Sequence, residues 1–183
     1  MGKIVLFISA FVPMYIVFLV TLIIELINAN LRLNITNTVV LVSLILLILF
    51  GILGLMVLIN SREKEYKKVT IISKKNITDQ HFLNYFSLFV LLALTFDLSK
   101  ICFIFALVVI LIFLGVVYIK NNIFYVNPLL NILGYSFYDI SYIEGDETID
   151  TRIFYKGELD ISKCKYKLYT IYKNLYFLDK WQD

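Results

Sequence analysis

The side chains able to do chemistry are few and scattered. There is one histidine, His81, and there are two cysteines, Cys102 and Cys164. One imidazole and two thiols far apart in sequence give neither a disulfide framework nor the ligand spacing of a zinc site. The chain has no Walker A loop, no GxGxxG, no HExxH and no CxxC. His81 stands at the edge of an apolar segment with no nucleophile paired to it, so no catalytic triad can be drawn. The carboxylates Glu144, Asp146, Glu147 and Asp150 could attract a cation, but they lack the spaced oxygen ligands of an EF-hand loop and read as a solvated turn. No catalytic residue, cofactor or metal is expected, and the chain reads as non-enzymatic. What remains are ionisable groups at the margins of apolar segments: Glu25, Asp97 and Lys100. Asp97 and Lys100 are spaced to pair on one helical turn. Glu25 lies just before Ile27, where a carboxylate can reach the interface more cheaply than from mid-membrane.

The elements that would position these groups are membrane segments. The chain has 183 residues, 60% of them hydrophobic, against about 45–50% for a soluble domain. The excess is concentrated in residues 4–119. Four apolar segments, at about 4–27, 38–59, 82–98 and 101–119, approach or exceed the roughly 20 residues a span needs. The first is too long for a signal-peptide core of about 7–15 residues, and Pro13 should kink it. In the second, Gly51 and Gly54 offer a notch for close helix packing without forming GxxxG. The third is short and diluted by Asn84, Tyr85 and Ser87, so it either pairs with the fourth as a hairpin or re-enters. The expected fold is a membrane α-helical region of two hairpins with a small cytosolic antiparallel β domain at the carboxyl terminus.

Sidedness is a matter of counting. Lys3 precedes the first span, six Lys and Arg lie in the loop 61–80, and eight follow residue 119. With four spans these regions share one side, placing 15 of the 17 basic residues there. The positive-inside rule makes that side cytosolic, with both termini inside, and the bias to Ile, Asn, Lys and Tyr suggests an AT-rich bacterial genome, hence a bacterial cytoplasmic membrane. Within the loop, Val69 to Ser73 (VTIIS) is a β-type run. A lone strand is unstable in water, so it must pair with the tail.

The tail, 120–183, begins with Asn127-Pro128, a helix-stopping pair, then a short amphipathic turn to Gly134. From Tyr135 the pattern has period two. Turns at 144–147, 156–157 and 173–174 separate four strands, with VTIIS as a possible fifth. About 60 residues is near the lower limit for an independent core, so docking against helix ends or other copies is expected. The segment Asn127, Pro128, Gly134, Tyr135 and the basic loop are the two covalent routes from membrane to tail. Tail aromatics among lysines can stack bases, but such residues more often form strand core, and no direct nucleic-acid binding is expected.

Two apolar hairpins split by a polar loop, FYVNPLLNILGYSFYDI after the last span, and a sheet-like tail ending in NLYFLDK resemble the membrane component of the Kiwa antiphage system, KwaA. The more specific part is Asn127 to Tyr135 with Asn174 to Leu178. The resemblance implies a four-span inner-membrane protein, a homotetramer in contact with membrane lipid, that detects phage infection and holds a cytosolic DNA-binding partner, KwaB. It transfers no catalytic residue. The residues support a membrane sensor or scaffold docking a partner through the β domain. An oligomeric channel-type effector or small transporter using Glu25 or Asp97 is the alternative.

Overall fold

The computed structural model describes residues 2–28, 34–60, 66–78, 100–121, 127–144, 147–161, 166–172 and 175–180, with 87, 90–92, 95 and 123 between them. The first apolar segment forms two helices, α1 (Gly2–Ala10) and α2 (Val12–Asn28), bent by 46°. The expected kink is there, but it is a break at Phe11 and not a bend within one helix. Pro13 has no N–H to give the carbonyl of Ser9, and the Phe11 amide instead donates to Ile8 O at 3.2 Å. Helix α3 (Ile35–Asn60) begins before and ends after the expected span, and α4 (Ile101–Lys120) matches the fourth segment. Both are long and apolar enough to cross a membrane, and the bent pair makes a third crossing if taken as one. Most of the third expected span, 82–98, lies outside the described residues.

The glycines of α3 set its approach to the bent pair. A Cβ on Gly51 would stand 2.5 Å from Cγ2 of Val12, and one on Gly54 2.8 Å from Cγ1 of Val5. They are the packing notch that the sequence suggests.

The polar part is a closed five-stranded barrel, not an open antiparallel sheet. Its strands are β1 (Tyr66–Asn76), β2 (Tyr135–Glu144), β3 (Glu147–Lys156), β4 (Tyr166–Tyr172) and β5 (Leu175–Lys180), in the order β1-β2-β3-β5-β4. All neighbours are antiparallel except β3 and β5, which are parallel. The exception is geometric: strand direction cannot alternate all the way around an odd-numbered ring. The order is that of a five-stranded OB-type Greek-key barrel. VTIIS sits at the centre of β1 and pairs with both β2 and β4, closing the barrel as the fifth strand.

Strand alternation gives the barrel two faces. Val69, Ile71, Tyr138, Ile140, Tyr142, Ile153, Tyr155, Tyr166, Leu168 and Leu178 fill the interior, with Leu159 from the β3–β4 connection. A bulge at Ile72 shifts the register of β1 and reverses its facing. Lys67 and Lys74 therefore both lie on inward parities, one toward each end of the strand. Lys67 Nζ meets Glu144 Oε1 at 2.6 Å, and Lys74 donates to the carbonyl of Leu159. The Glu144 carboxylate, by hydrogen bond and charge, raises the pKa of Lys67. Glu144 is thus an ion-pair partner and not merely part of a solvated turn.

On the outside, Tyr135, Phe137, Phe154, Tyr169 and Phe177 join the same hydrophobic cluster as Leu6, Phe11, Leu107, Tyr118 and Leu130. The helices and the barrel's outer face thus share one continuous core, apart from the barrel interior.

Candidate functional site

The chain's chemistry converges where the barrel meets the helices. Among the described residues only two buried side chains are polar, Ser9 at 0% exposure and Asn127 at 1%. They are bonded to each other. Asn127 Nδ2 donates to Ser9 Oγ at 2.8 Å and to Leu6 O at 3.3 Å. Ser9 Oγ donates to Leu6 O at 2.9 Å. On its other side, Asn127 Oδ1 accepts from the amides of Leu129 at 3.0 Å and Leu130 at 3.3 Å. Both donors and both acceptor positions of the amide are used, as burial demands.

The local sequence explains this geometry. Asn127 is the N-cap of the short helix α5 (Pro128–Ile132), with Pro128 in its first turn. Proline suits that position because its missing N–H would be unpaired there anyway. The Asn-Pro pair therefore starts a helix and does not stop one; α4 has already ended at Lys120. Gly134, at φ 82°, is in the left-handed region that favours glycine. Its N–H donates to Asn131 O at 2.9 Å, and its carbonyl accepts from Gly157 N at 3.0 Å. Tyr135 then opens β2, its ring 5.8 Å from that of Phe154 and 6.3 Å from that of Phe177, with Lys156 Nζ 5.9 Å from its centroid.

A second stitch lies beside the first. Thr78, just after β1, accepts from Phe137 N at 2.8 Å through its hydroxyl, which also donates to Phe137 O at 3.3 Å. Ile77 N donates to Phe137 O at 3.0 Å. Both covalent routes between helices and barrel thus end against β2. Phe7 connects α1 to α4, with its ring 5.5 Å from that of Tyr118.

Four of the sequence-derived candidates, Asn127, Pro128, Gly134 and Tyr135, come together at this junction. Glu25 and Lys100 do not. Glu25 is half-buried near the end of α2. Lys100 precedes α4, its carbonyl accepting from Phe103 and Ile104 and its ammonium 5.7 Å from the Phe103 ring centroid. Asp97, and with it the proposed Asp97–Lys100 pair, lies outside the described residues. Ser9, Thr78, Lys67 and Lys74 are the participants that sequence reasoning missed. For Ser9 the available signal was a hydroxyl close to Pro13 in an otherwise apolar run. Among the described residues no group of His, Cys, Asp and Glu could hold a metal.

The arrangement ties α1 to the barrel through buried hydrogen bonds. No curated protein and no solved structure matches the chain. The family model of the anti-phage protein KwaA matches residues 2–177, nearly the whole length. The chain therefore belongs to the anti-phage protein KwaA family, and its role lies in antiphage defence.

Proposed function

We propose that the chain is a non-enzymatic membrane sensor or scaffold of that defence. It sits in the bacterial cytoplasmic membrane with both termini and the barrel in the cytosol, self-associates, and docks a soluble partner on the barrel. The observation that carries this reading is the Asn127–Ser9 bond within a core shared by helices and barrel. A displacement of the bent amino-terminal pair cannot leave the barrel unmoved while that bond holds.

Connectivity supports four crossings. The carboxyl ends of α3 and α4 and the amino end of α1 all lead to the barrel side. Helix α4 has 20 residues, about 30 Å of rise. Thr78 lies at the barrel and Ile101 begins α4 at its far end, so the described ends of the intervening stretch stand about one membrane thickness apart. The barrel's fold does not favour nucleic acid as its ligand. OB barrels use the outer face around strands 2 and 3 for oligonucleotides, and stacking needs exposed aromatics. Here Phe137 and Phe154 on that face are buried, at 1% and 2% exposure. DNA contact would then belong to the partner, as the resemblance to KwaA implies.

The test is a phage challenge with Asn127→Leu. A scaffold predicts lost protection with normal membrane abundance, together with lost or altered capture of the soluble partner. Normal protection would count against coupling through this bond. The channel reading rests on Glu25, and ion flux in liposomes that vanishes with Glu25→Gln would favour it.

A further inference from the structure

We infer that the outer face of β1 and β4 is a seat for anionic lipid headgroups, formed by Tyr66, Lys68, Lys167 and Tyr169. The inference rests on the reading that α3 and α4 cross a membrane. The outward aromatics form an unbroken stripe around the barrel. Phe137 lies 6.2 Å from Phe154, Phe154 5.3 Å from Phe177, Phe177 6.4 Å from Tyr169, and Tyr169 5.8 Å from Tyr66, ring centre to ring centre. Every strand contributes. Most of the stripe is covered by the helix ends and α5, but it emerges at Tyr66, which is 41% exposed. There the chemistry changes from apolar to cationic. Lys167 Nζ stands 5.0 Å from the Tyr66 ring centroid. Lys68 and Lys167 are direct cross-strand partners, so this face carries two ammonium groups beside the Tyr66 and Tyr169 rings. Asp179 stands opposite Lys167 on β5. Lys67 is turned away to Glu144.

Three observations point to lipid as the occupant. The stripe is continuous with the core that includes α1–α4. Tyr66 follows closely on Asn60, the last residue of α3; at no more than about 3.5 Å per residue, it lies within about 20 Å of that helix end. Tyrosine backed by lysine is the composition of a membrane–water interface, the ring at headgroup depth and the ammonium on phosphate.

The experiment uses the full chain in nanodiscs of phosphatidylcholine, with or without phosphatidylglycerol, and follows acylation of individual lysines by mass spectrometry. Lys68 and Lys167 should react about fivefold more slowly with phosphatidylglycerol, the factor that about 1 kcal/mol of surface attraction per lysine gives. High salt should reverse the slowing. Lys75, on the outer face of β1 beyond the bulge, should change far less. Tyr66→Ser should remove part of the protection while leaving the lysines in place. Equal rates in both lipids would overturn the inference, and so would equal slowing of Lys75. Slowing by inorganic phosphate in neutral discs, or protection by a second copy that ignores lipid charge, would overturn it too. Failure of the chain to enter nanodiscs at all would instead remove the membrane reading beneath it.

Discussion

Asn127 Nδ2 donates to Ser9 Oγ at 2.8 Å across 118 residues of sequence. The same amide caps α5, so one side chain fixes both the start of that helix and its attachment to α1. Asn127→Leu should cost about 2–3 kcal/mol, from the lost cap and from buried amides left unpaired. Ser9→Ala should cost about 1 kcal/mol, since Asn127 keeps Leu6 O. The double variant should lose less than the sum, as expected for neighbours sharing a bond. Thermal unfolding in detergent measures all three.

Two glycines should fail for different reasons. Gly51→Ala places a methyl 2.5 Å from Val12 Cγ2 and should destabilise by about 1–3 kcal/mol through overpacking. Val12→Ala in the same chain should rescue it. Gly134→Ala meets nothing within 4 Å, yet its φ of 82° should cost about 1 kcal/mol in backbone strain. No neighbouring substitution should rescue that loss. Comparison of unfolding midpoints for the three variants decides.

The tail should not fold without β1. Residues 128–183 alone would leave β2 and β4 as open edges and Ile140, Tyr142, Tyr166 and Leu168 short of their Val69 and Ile71 neighbours. That fragment should show no cooperative transition by circular dichroism, and a peptide covering Tyr66–Asn76 added in trans should restore one. A sharp transition in the fragment alone would refute the prediction.

Alkali should loosen the barrel. Burial raises the pKa of Tyr142, Tyr155 and Tyr166 above the ordinary value of about 10. The folded state holds these protons more tightly than the unfolded state. Their contribution is therefore complete below about pH 10 and is lost as pH rises through the raised values. Lys67, raised by Glu144, acts with the same sign. Phenolate absorbance should lag that of an unfolded control, and Tyr166→Phe should shrink the lag.

Cys102 reports sidedness. It is exposed in the first turn of α4, the end away from the barrel. In a chain carrying Cys164→Ser, a membrane-impermeant maleimide should label it from outside intact spheroplasts. Labelling only after lysis would invert the proposed orientation.

The parts legible in sequence are those set by composition and by period. Apolar length gives α3 and α4, a missing proline donor gives the break near Pro13, and β-branched residues between lysines give β1. The turns fall where Gly157 and the acidic run place them. Barrel closure was not legible, because the parallel β3–β5 pair joins strands whose separate patterns look like any others. The same holds for the bond of Ser9, whose partner is 118 residues away: its place near Pro13 marks it locally, but nothing local points to Asn127. Lys67 and Lys74 read as orientation charges, and only the bulge at Ile72 reveals that both lie on inward parities. The aromatics of the tail divide by strand parity into barrel interior and helix-facing stripe, a division that needs the register as well as the alternation.

The barrel's discontinuous origin has a consequence for biosynthesis. β1 leaves the ribosome before α4 is made, whereas both of its partner strands come after. During that interval a lysine-flanked strand waits with both edges open, and lysines are what natural proteins use to keep such edges from pairing wrongly. Closure then becomes a completion signal. Only a chain translated through β5, with α4 set so that its end meets the nascent barrel, can bury Val69 and Ile71. A truncated product keeps an open strand.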